Sequence, residues 1–482
     1  MGVRQNISSR SRETLKLARS GGPAGFFGHP RALGYIAVTE AWERFAQYGM
    51  QALLVLYLVD TLLQPGHIES VAGFAVMRAI LEALFGPMQT TALASAIFGI
   101  YGSFIYLTPI LGGFLADRLL GRSATVIAGS VLMISGHFLM MSEAAFLPAL
   151  LLLVFGIGCF KGNLAAQINA LYGMDDARRA DAYQIYTLAV NAGVIAAPLV
   201  AGTLGETLGW RYGFAAAGVG MGIGLGVYLA GRRYLPENPA PKAKMRPAGR
   251  WSLSASEWKS TLALLALLPV LALAAIGNQQ MFNAYLIWSD ASASLDVFGT
   301  RMPTTWLITI DMLASIACLL GVMWFWRRMA VIGIAPMEIT RIAIGCLFSV
   351  AAYVLLASAT WMADSEGAKV GLATLVVFHI LGSTAFAHIY PVSLALYARA
   401  SPPAIVSTMM GIYYLHLFLA NGTTGWIGGW LDRLDAYVFW LMHAGLGLLA
   451  CIMVLAIGAV CRRTLSAEAP ASTHQDRPTR QG

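Results

Sequence analysis

Apolar runs of about 20 residues, each long enough to cross a hydrocarbon core of about 30 Å, recur from near residue 33 to near residue 461. Gly, Pro and charge punctuate them, and the punctuation predicts helices at 33 to 61, 90 to 116, 123 to 142, 146 to 172, 181 to 205 and 212 to 231. A second series follows at 260 to 288, 303 to 326, 340 to 361, 369 to 396, 404 to 430 and 437 to 460. The expected fold is an all-α membrane protein with 12 transmembrane helices in two six-helix bundles. The longest polar interruption, 232 to 259, contains Pro236, Pro239, Pro241 and Pro247 and divides an N-terminal bundle, 33 to 231, from a C-terminal bundle, 260 to 461. Residues 1 to 32 form a polar leading segment, and 462 to 482 form a tail with too little apolar surface to fold. The stretch 66 to 88 is too interrupted by charge to span and is expected to lie on the membrane surface.

Hydrophobic residues make up 57% of the 482 positions and Asp, Glu, Lys and Arg together 12%, about half the charged share of a soluble globular protein. Lipid is the solvent such a surface suits. The net charge of +8 could suit nucleic acid, but its placement argues against that partner. Arg31 precedes the first span, Arg118 and Arg122 follow the second, Arg178 and Arg179 the fourth, and Arg232 and Arg233 the sixth, whereas the alternate connections hold Glu69, Glu82, Glu143, Asp364, Glu366 and Asp432. This alternation predicts a multi-pass protein of the cell (inner or plasma) membrane with both termini cytoplasmic. The five cysteines lack metal-ligand spacing and read as packing residues, so no metal is expected. No cleavable signal peptide is apparent before the first span.

Polar groups inside the spans carry the functional information, because a charge near the bilayer centre costs about 2.5–3.5 kcal/mol even on the gentlest insertion scale unless it is paired or faces water. In the first span Glu40, Glu43, Arg44, Gln47, Tyr48 and Gln51 recur at helical spacing, so one face carries two carboxylates, a guanidinium, two amides and a phenol. That face must line a cavity. Two acids beside one arginine leave one negative charge over, so one carboxylate stays ionised against Arg44 while the other can load and release a proton. In the fourth span Lys161 stands in an apolar stretch and is expected to need an anionic neighbour.

The second span ends Gly112-Gly113-Phe-Leu-Ala-Asp117-Arg118-Leu-Leu-Gly-Arg122. Glycines allow close helix approach, and Asp117, Arg118 and Arg122 can form a charge latch made in one state and broken in another. The stretch is similar to the signature loop of the major facilitator superfamily, which makes Gly113, Asp117, Arg118 and Arg122 gating candidates.

Several motifs in order, Glu40-x-x-Glu43-Arg44-Phe45, Tyr48-Gly49, Tyr106-Leu-Thr-Pro, Gly113 to Arg118, Phe160-Lys161-x-Asn163, and Asn191 in a helix ending at Pro198, resemble the proton-dependent oligopeptide transporters of that superfamily. The likeness is strong over about residues 30 to 235 and weaker beyond. It implies alternating access between two six-helix halves, with proton-driven import of di- and tripeptides. It further implies roles in proton coupling and in binding the peptide carboxylate for Glu40, Glu43, Arg44 and Lys161, and substrate contacts for Tyr48, Tyr106 and Asn191. Tyr413 falls at an aromatic position of the eleventh helix expected to wall a side-chain pocket.

The chain departs from the family pattern at four places. Gln47 stands where a second tyrosine is usual, and Gln51 where an arginine is. The seventh span has Asn278 and its neighbouring amides in place of a glutamate. Since the family arginine and glutamate pair across the two halves, the change to Gln51 and Asn278 predicts a hydrogen-bonded gate. The tenth span, Ser383-Thr-Ala-Phe386-Ala-His388, has no acid for the peptide amine; Ser383 or Phe386 occupies that position. Asp311 falls at an asparagine of the eighth helix, and the missing carboxylate is expected to have moved there. His379 and His388 read as hydrogen-bonded packing residues.

The sequence has no P-loop and no nucleophile elbow, so neither ATP hydrolysis nor enzymatic catalysis is expected. The proton gradient supplies the energy and no cofactor is called for. The expected partners are small peptides, protons and membrane lipid. The rival reading keeps the fold and the proton but replaces the peptide with a non-peptide organic solute or anion.

Overall fold

The computed structural model describes residues 25–172, 176, 178–235 and 253–466. The leading segment up to residue 24, residues 236 to 252 of the proline-rich connection, and the tail from 467 lie outside the described residues. Twelve helical rods, α1 to α12 in chain order, dominate the rest. In the first half these are α1 (Arg31–Tyr57, prolonged by a π turn Leu58–Leu62), α2 (Thr90–Leu115, prolonged by Ala116–Leu120), α3 (Arg122–Leu139), α4 (Phe146–Ala170), α5 (Arg178–Ala197, continued to Leu208) and α6 (Trp210–Gly231). The second half has α7 (Ala255–Gln280, resumed as Ala284–Ser292), α8 (Trp306–Val331), α9 (Glu338–Glu366), α10 (Leu372–Ala400), α11 (Val406–Tyr413 and Leu415–Gly428) and α12 (Ala436–Val460).

Ten of these rods are long and apolar enough to cross a membrane. The other two are α1, whose apolar run is diluted by Glu40, Glu43, Arg44, Gln47 and Gln51, and α11, which is interrupted at Tyr414. The protein is a multi-pass membrane protein that is helical apart from two short two-stranded pairs between residues 293 and 371. Between α1 and α2 the helix Phe74–Phe85 exposes Val76, Ile80 and Leu84 at four-residue spacing while Arg78 pairs with Glu82 at 2.9 Å, the amphipathic surface helix that the sequence predicts.

The seventh span was expected to run unbroken from 260 to 288. It breaks at 281–283 instead, and the neighbouring amides explain how. Gln280 Oε1 accepts from the Ala284 N–H and from Asn283 Nδ2 (both 3.3 Å), and Asn283 Nδ2 also reaches the Thr424 carbonyl at 3.4 Å. Side chains thus re-satisfy backbone groups freed by the break, a requirement inside a bilayer.

The two halves meet unevenly. One end of the molecule carries Asp60, Glu143, Glu206 and Asp290, and the other Arg118, Arg232 and Arg399. At the acidic end and into the middle, α2 crosses α11 so closely that a Cβ added at Gly99 would lie 2.5 Å from Gly425 Cα, and Ser103 Oγ donates to the Phe418 carbonyl at 2.9 Å. On the other side α5 packs on α8: Thr309 Oγ1 donates to the Ile195 carbonyl, and Trp306 Nε1 to Thr203 Oγ1. Beyond these contacts toward the basic end, no hydrogen bond or ion pair joins the halves among the described residues. The molecule is shut at its acidic end and parted at its basic end.

Candidate functional site

Where the halves part, they enclose a cavity of about 320 Å³, at the small end of ligand pockets of roughly 300–1,000 Å³. The N-terminal half contributes Tyr48 and Gln51 from α1, Tyr106 from α2 and Asn191 from α5. The C-terminal half contributes Asn278 from α7, Asp311 from α8 and Ser383 from α10. Seven residues singled out in sequence thus converge on one volume from six helices. Tyr48 also closes on Phe282 across the halves, edge to face at 5.9 Å.

Behind Tyr48 the charged cluster of α1 is buried. Arg44 donates from Nε (2.9 Å) and Nη2 (2.7 Å) to the same Glu40 oxygen, Oε1, and from Nη1 to Gln47 Oε1 at 2.5 Å. The i, i+4 and i, i+3 spacings of one helix set this geometry. Glu43 differs from Glu40. Its Oε2 lies 3.1 Å from Arg44 Nε, yet neither oxygen accepts a hydrogen bond and the side chain is fully buried. An ionised carboxylate without hydrogen bonds is expensive to bury, which sets Glu43 apart from Glu40, whose Oε1 takes two bonds from Arg44.

Other side chains sit elsewhere than their spacing suggests. Gln47 does not line the cavity: it is bonded to Arg44 and buried. Among the described residues Lys161 has no carboxylate within ion-pair distance; its Nζ sits over the Tyr106 ring, 4.9 Å from the centroid, while the expected first-span acids Glu43 and Glu40 interact with it from further away. Tyr413 points into the core, bonded to Ser393 Oγ at 3.0 Å and to the Tyr390 carbonyl at 3.1 Å, with none of its side chain exposed. Its neighbours Tyr390 and His416 line the cavity instead. Gln51 and Asn278 both face the cavity but make no hydrogen bond to each other among the described residues.

At the gating motif it is Gly112, not Gly113, that packs tightly: a Cβ on Gly112 would clash with the Gly158 carbonyl, whereas Gly113 has open space around it. Asp117 and Arg118 are exposed at the parted end, and no ion pair joins Asp117 to Arg118 or Arg122. Any latch there is open in this state.

Two groups escaped the sequence reading. Glu206, at the acidic end of α5, accepts from the backbone N–H groups of Thr304 (2.7 Å) and Thr305 (2.8 Å) and from Thr305 Oγ1 (2.6 Å). It caps the start of α8 and so fastens the halves together; it lies one residue past the expected end of the fifth span at 205. His379, taken for a packing residue, has Nδ1 3.2 Å from Asp311 Oδ1 and Nε2 2.9 Å from the Tyr285 hydroxyl. Its position four residues before Ser383, on the same helical face, was the available signal. His388, by contrast, does pack, accepting from Trp326 Nε1 at 3.1 Å.

The POT family model matches residues 123–263. The Peptide transporter YePEPT of Yersinia enterocolitica is 26% identical to this chain over 91% of it and 96% of that protein. A Di-/tripeptide transporter of Lactococcus lactis is 36% identical, over 44% of this chain and 40% of its own length. A solved structure of the peptide transporter POT in complex with alafosfalin superposes with a TM-score of 0.80 at 24% identity, covering 92% of this chain and 97% of that one. A POT family transporter in complex with 5-aminolevulinic acid gives 0.77 at 21% identity, covering 92% and 98%. Those structures share the fold of this chain, and over residues 123–263 its sequence is similar to the POT family.

Proposed function

We propose that this protein is a proton-coupled symporter that imports di- and tripeptides by alternating access. The observation that carries the reading is Glu43: a fully buried carboxylate with no hydrogen bond to either oxygen, one helical turn from a cavity that two half-molecules share. Protonation removes a charge the site solvates poorly, and the Glu40–Arg44 pair keeps the neighbouring charge balanced. Proton loading on Glu43 therefore biases which way the halves open.

The peptide lies between the walls. Its ammonium is drawn to Asp311, its carboxylate to the Arg44 and Lys161 side with Tyr106 between, and its backbone to the phenols and amides of Tyr48, Tyr106, Asn191, Gln51, Asn278 and Ser383. The basic end, carrying Asp117, Arg118 and Arg122, faces the cytoplasm together with both termini, so the state described is inward-facing. Gly113, in open space, leaves room for α2 to close on its neighbours.

A second reading has one observation in its favour. Among the described residues Asp311 is the only Asp, Glu, Lys or Arg side chain lining the cavity, which suits a small non-peptide organic amine as well as a peptide. Uptake by purified protein in liposomes separates the two. With an inward proton gradient, radiolabelled dialanine should accumulate, and Glu43→Gln should abolish accumulation while sparing peptide exchange without a gradient. Accumulation that ignores the imposed pH difference sinks the proton-coupled scheme; failure of unlabelled dipeptides to compete sinks the peptide.

A further inference from the structure

We propose that Asp311 and His379 form one proton-binding pair in the C-terminal wall, and that this proton competes with the substrate ammonium for Asp311. The inference rests on the peptide reading above and adds a specificity-determining residue to it, His379.

The geometry provides for both protonation states without rearrangement. His379 is completely buried, and each ring nitrogen has a partner that tolerates either state. Nδ1 faces Asp311 Oδ1 at 3.2 Å and carries its hydrogen in both states. Nε2 lies 2.9 Å from Tyr285 Oη. A phenol is both donor and acceptor, so Tyr285 donates to the neutral ring and accepts from the charged one. When it accepts, its own hydrogen can turn toward Ser289 Oγ, which lies beside it and is buried with no hydrogen bond of its own.

Asp311 is poised between two cations. His379 is its one ion-pair partner among the described residues, and the bonds from His379 and Ser383 both fall on Oδ1. The carboxylate lines the cavity, leaving Oδ2 for a ligand. The other titratable side chains facing it are Tyr48 of α1, Tyr285 of the resumed α7 and Tyr353 of α9; His443 of α12 packs on the Tyr353 ring. With the imidazole neutral the pair carries one negative charge and attracts an ammonium. One added proton brings the pair to zero and removes that attraction. Proton and amine therefore bind antagonistically at this wall, whereas the first-helix carboxylates couple proton and cargo in the same direction.

The test is equilibrium binding of radiolabelled dialanine to the purified full-length protein between about pH 5 and pH 7.5, where histidine titrates and the peptide amine stays charged. Wild type is compared with His379→Gln and Tyr285→Phe. The first-helix carboxylates act in all three proteins, so the ratio of affinities isolates the pair. The expected result is an acid limb in wild type, falling by up to roughly tenfold per pH unit below the titration. His379→Gln lacks that limb whatever its absolute affinity, and Tyr285→Phe moves it to lower pH because Nε2–H has lost its acceptor. Identical profiles for wild type and His379→Gln overturn the proposal and leave the peptide reading standing, and so does a Tyr285→Phe profile superimposable on wild type should His379→Gln not fold. Absence of dialanine binding at every pH overturns both.

Discussion

The two walls of the cavity are charged in different ways. In the N-terminal half a single helix supplies both acids, the arginine and the amide that orients it: Glu40 and Gln47 meet Arg44 from four and three residues away, and Glu43 is its neighbour in sequence. In the C-terminal half the acid comes from α8, the histidine and serine from α10, and the phenol from the segment resuming α7. A cluster within one helix survives relative movement of helices, so the N-terminal wall can keep its charge balance throughout the cycle. A cluster spread over three helices exists only while they stay in register. The first keeps its internal geometry while the helices move, and the second changes with the packing of its wall.

The comparison can be broken or sharpened by substitution. The largest effect is expected from Glu40→Gln, which strips Arg44 of the carboxylate that takes two of its hydrogen bonds. Losing a buried ion partner costs about 3–5 kcal/mol, so thermal unfolding in detergent should shift strongly, whereas Glu43→Gln should leave stability nearly unchanged. Equal destabilisation by the two would erase the division of labour between the acids. Next is Asp311→Asn. A hydrogen bond to a charged group is worth about 1.5–3 kcal/mol, so dialanine affinity should fall roughly ten- to a hundredfold, and an unchanged affinity would take the ammonium away from this wall.

A smaller effect is expected at the acidic end. Glu206→Gln weakens charge-assisted bonds to Thr304 and Thr305 and should release about 1 kcal/mol, raising the population opened at that end roughly fivefold. Pulsed electron resonance distances between spin labels at Thr207 and Phe298, both exposed, would register the longer component. The smallest is Tyr413→Phe, which should lower stability by about 0.5–1.5 kcal/mol and leave peptide affinity alone. A clear loss of affinity would return Tyr413 to the binding wall.

The same contrast explains what was legible in the sequence. Helical periodicity places Glu40, Arg44 and Gln47 on one face over about two turns, so the Glu40–Arg44 pairing could be read directly, whereas Gln47 was expected in the cavity and instead bonds to Arg44. Asp311 and Ser383 were found through a likeness to other chains, but their meeting at His379 depends on how α8, α10 and the broken α7 pack, and no local spacing encodes that. Tyr413 was misplaced because α11 is interrupted at Tyr414, and a break changes which face follows the apolar stripe. Glu206 stayed hidden because a carboxylate at a span end looks solvated until the start of α8 is brought against it. The twelve rods were legible for the opposite reason: a hydrocarbon solvent imposes length and composition on each one separately.

The glycine crossing of α2 and α11 has a mechanical corollary. With backbone against backbone at Gly99 and Gly425, there is little side-chain padding there to compress, so the crossing behaves as a fulcrum. Asp117 lies 18 positions further along the helix, a lever arm of roughly 27 Å at about 1.5 Å per residue. A tilt of about 10° at the fulcrum swings that tip by roughly 5 Å, the pitch of one helical turn. A bulkier residue at Gly99 would wedge the pivot and shorten the stroke far away, at a place it never touches.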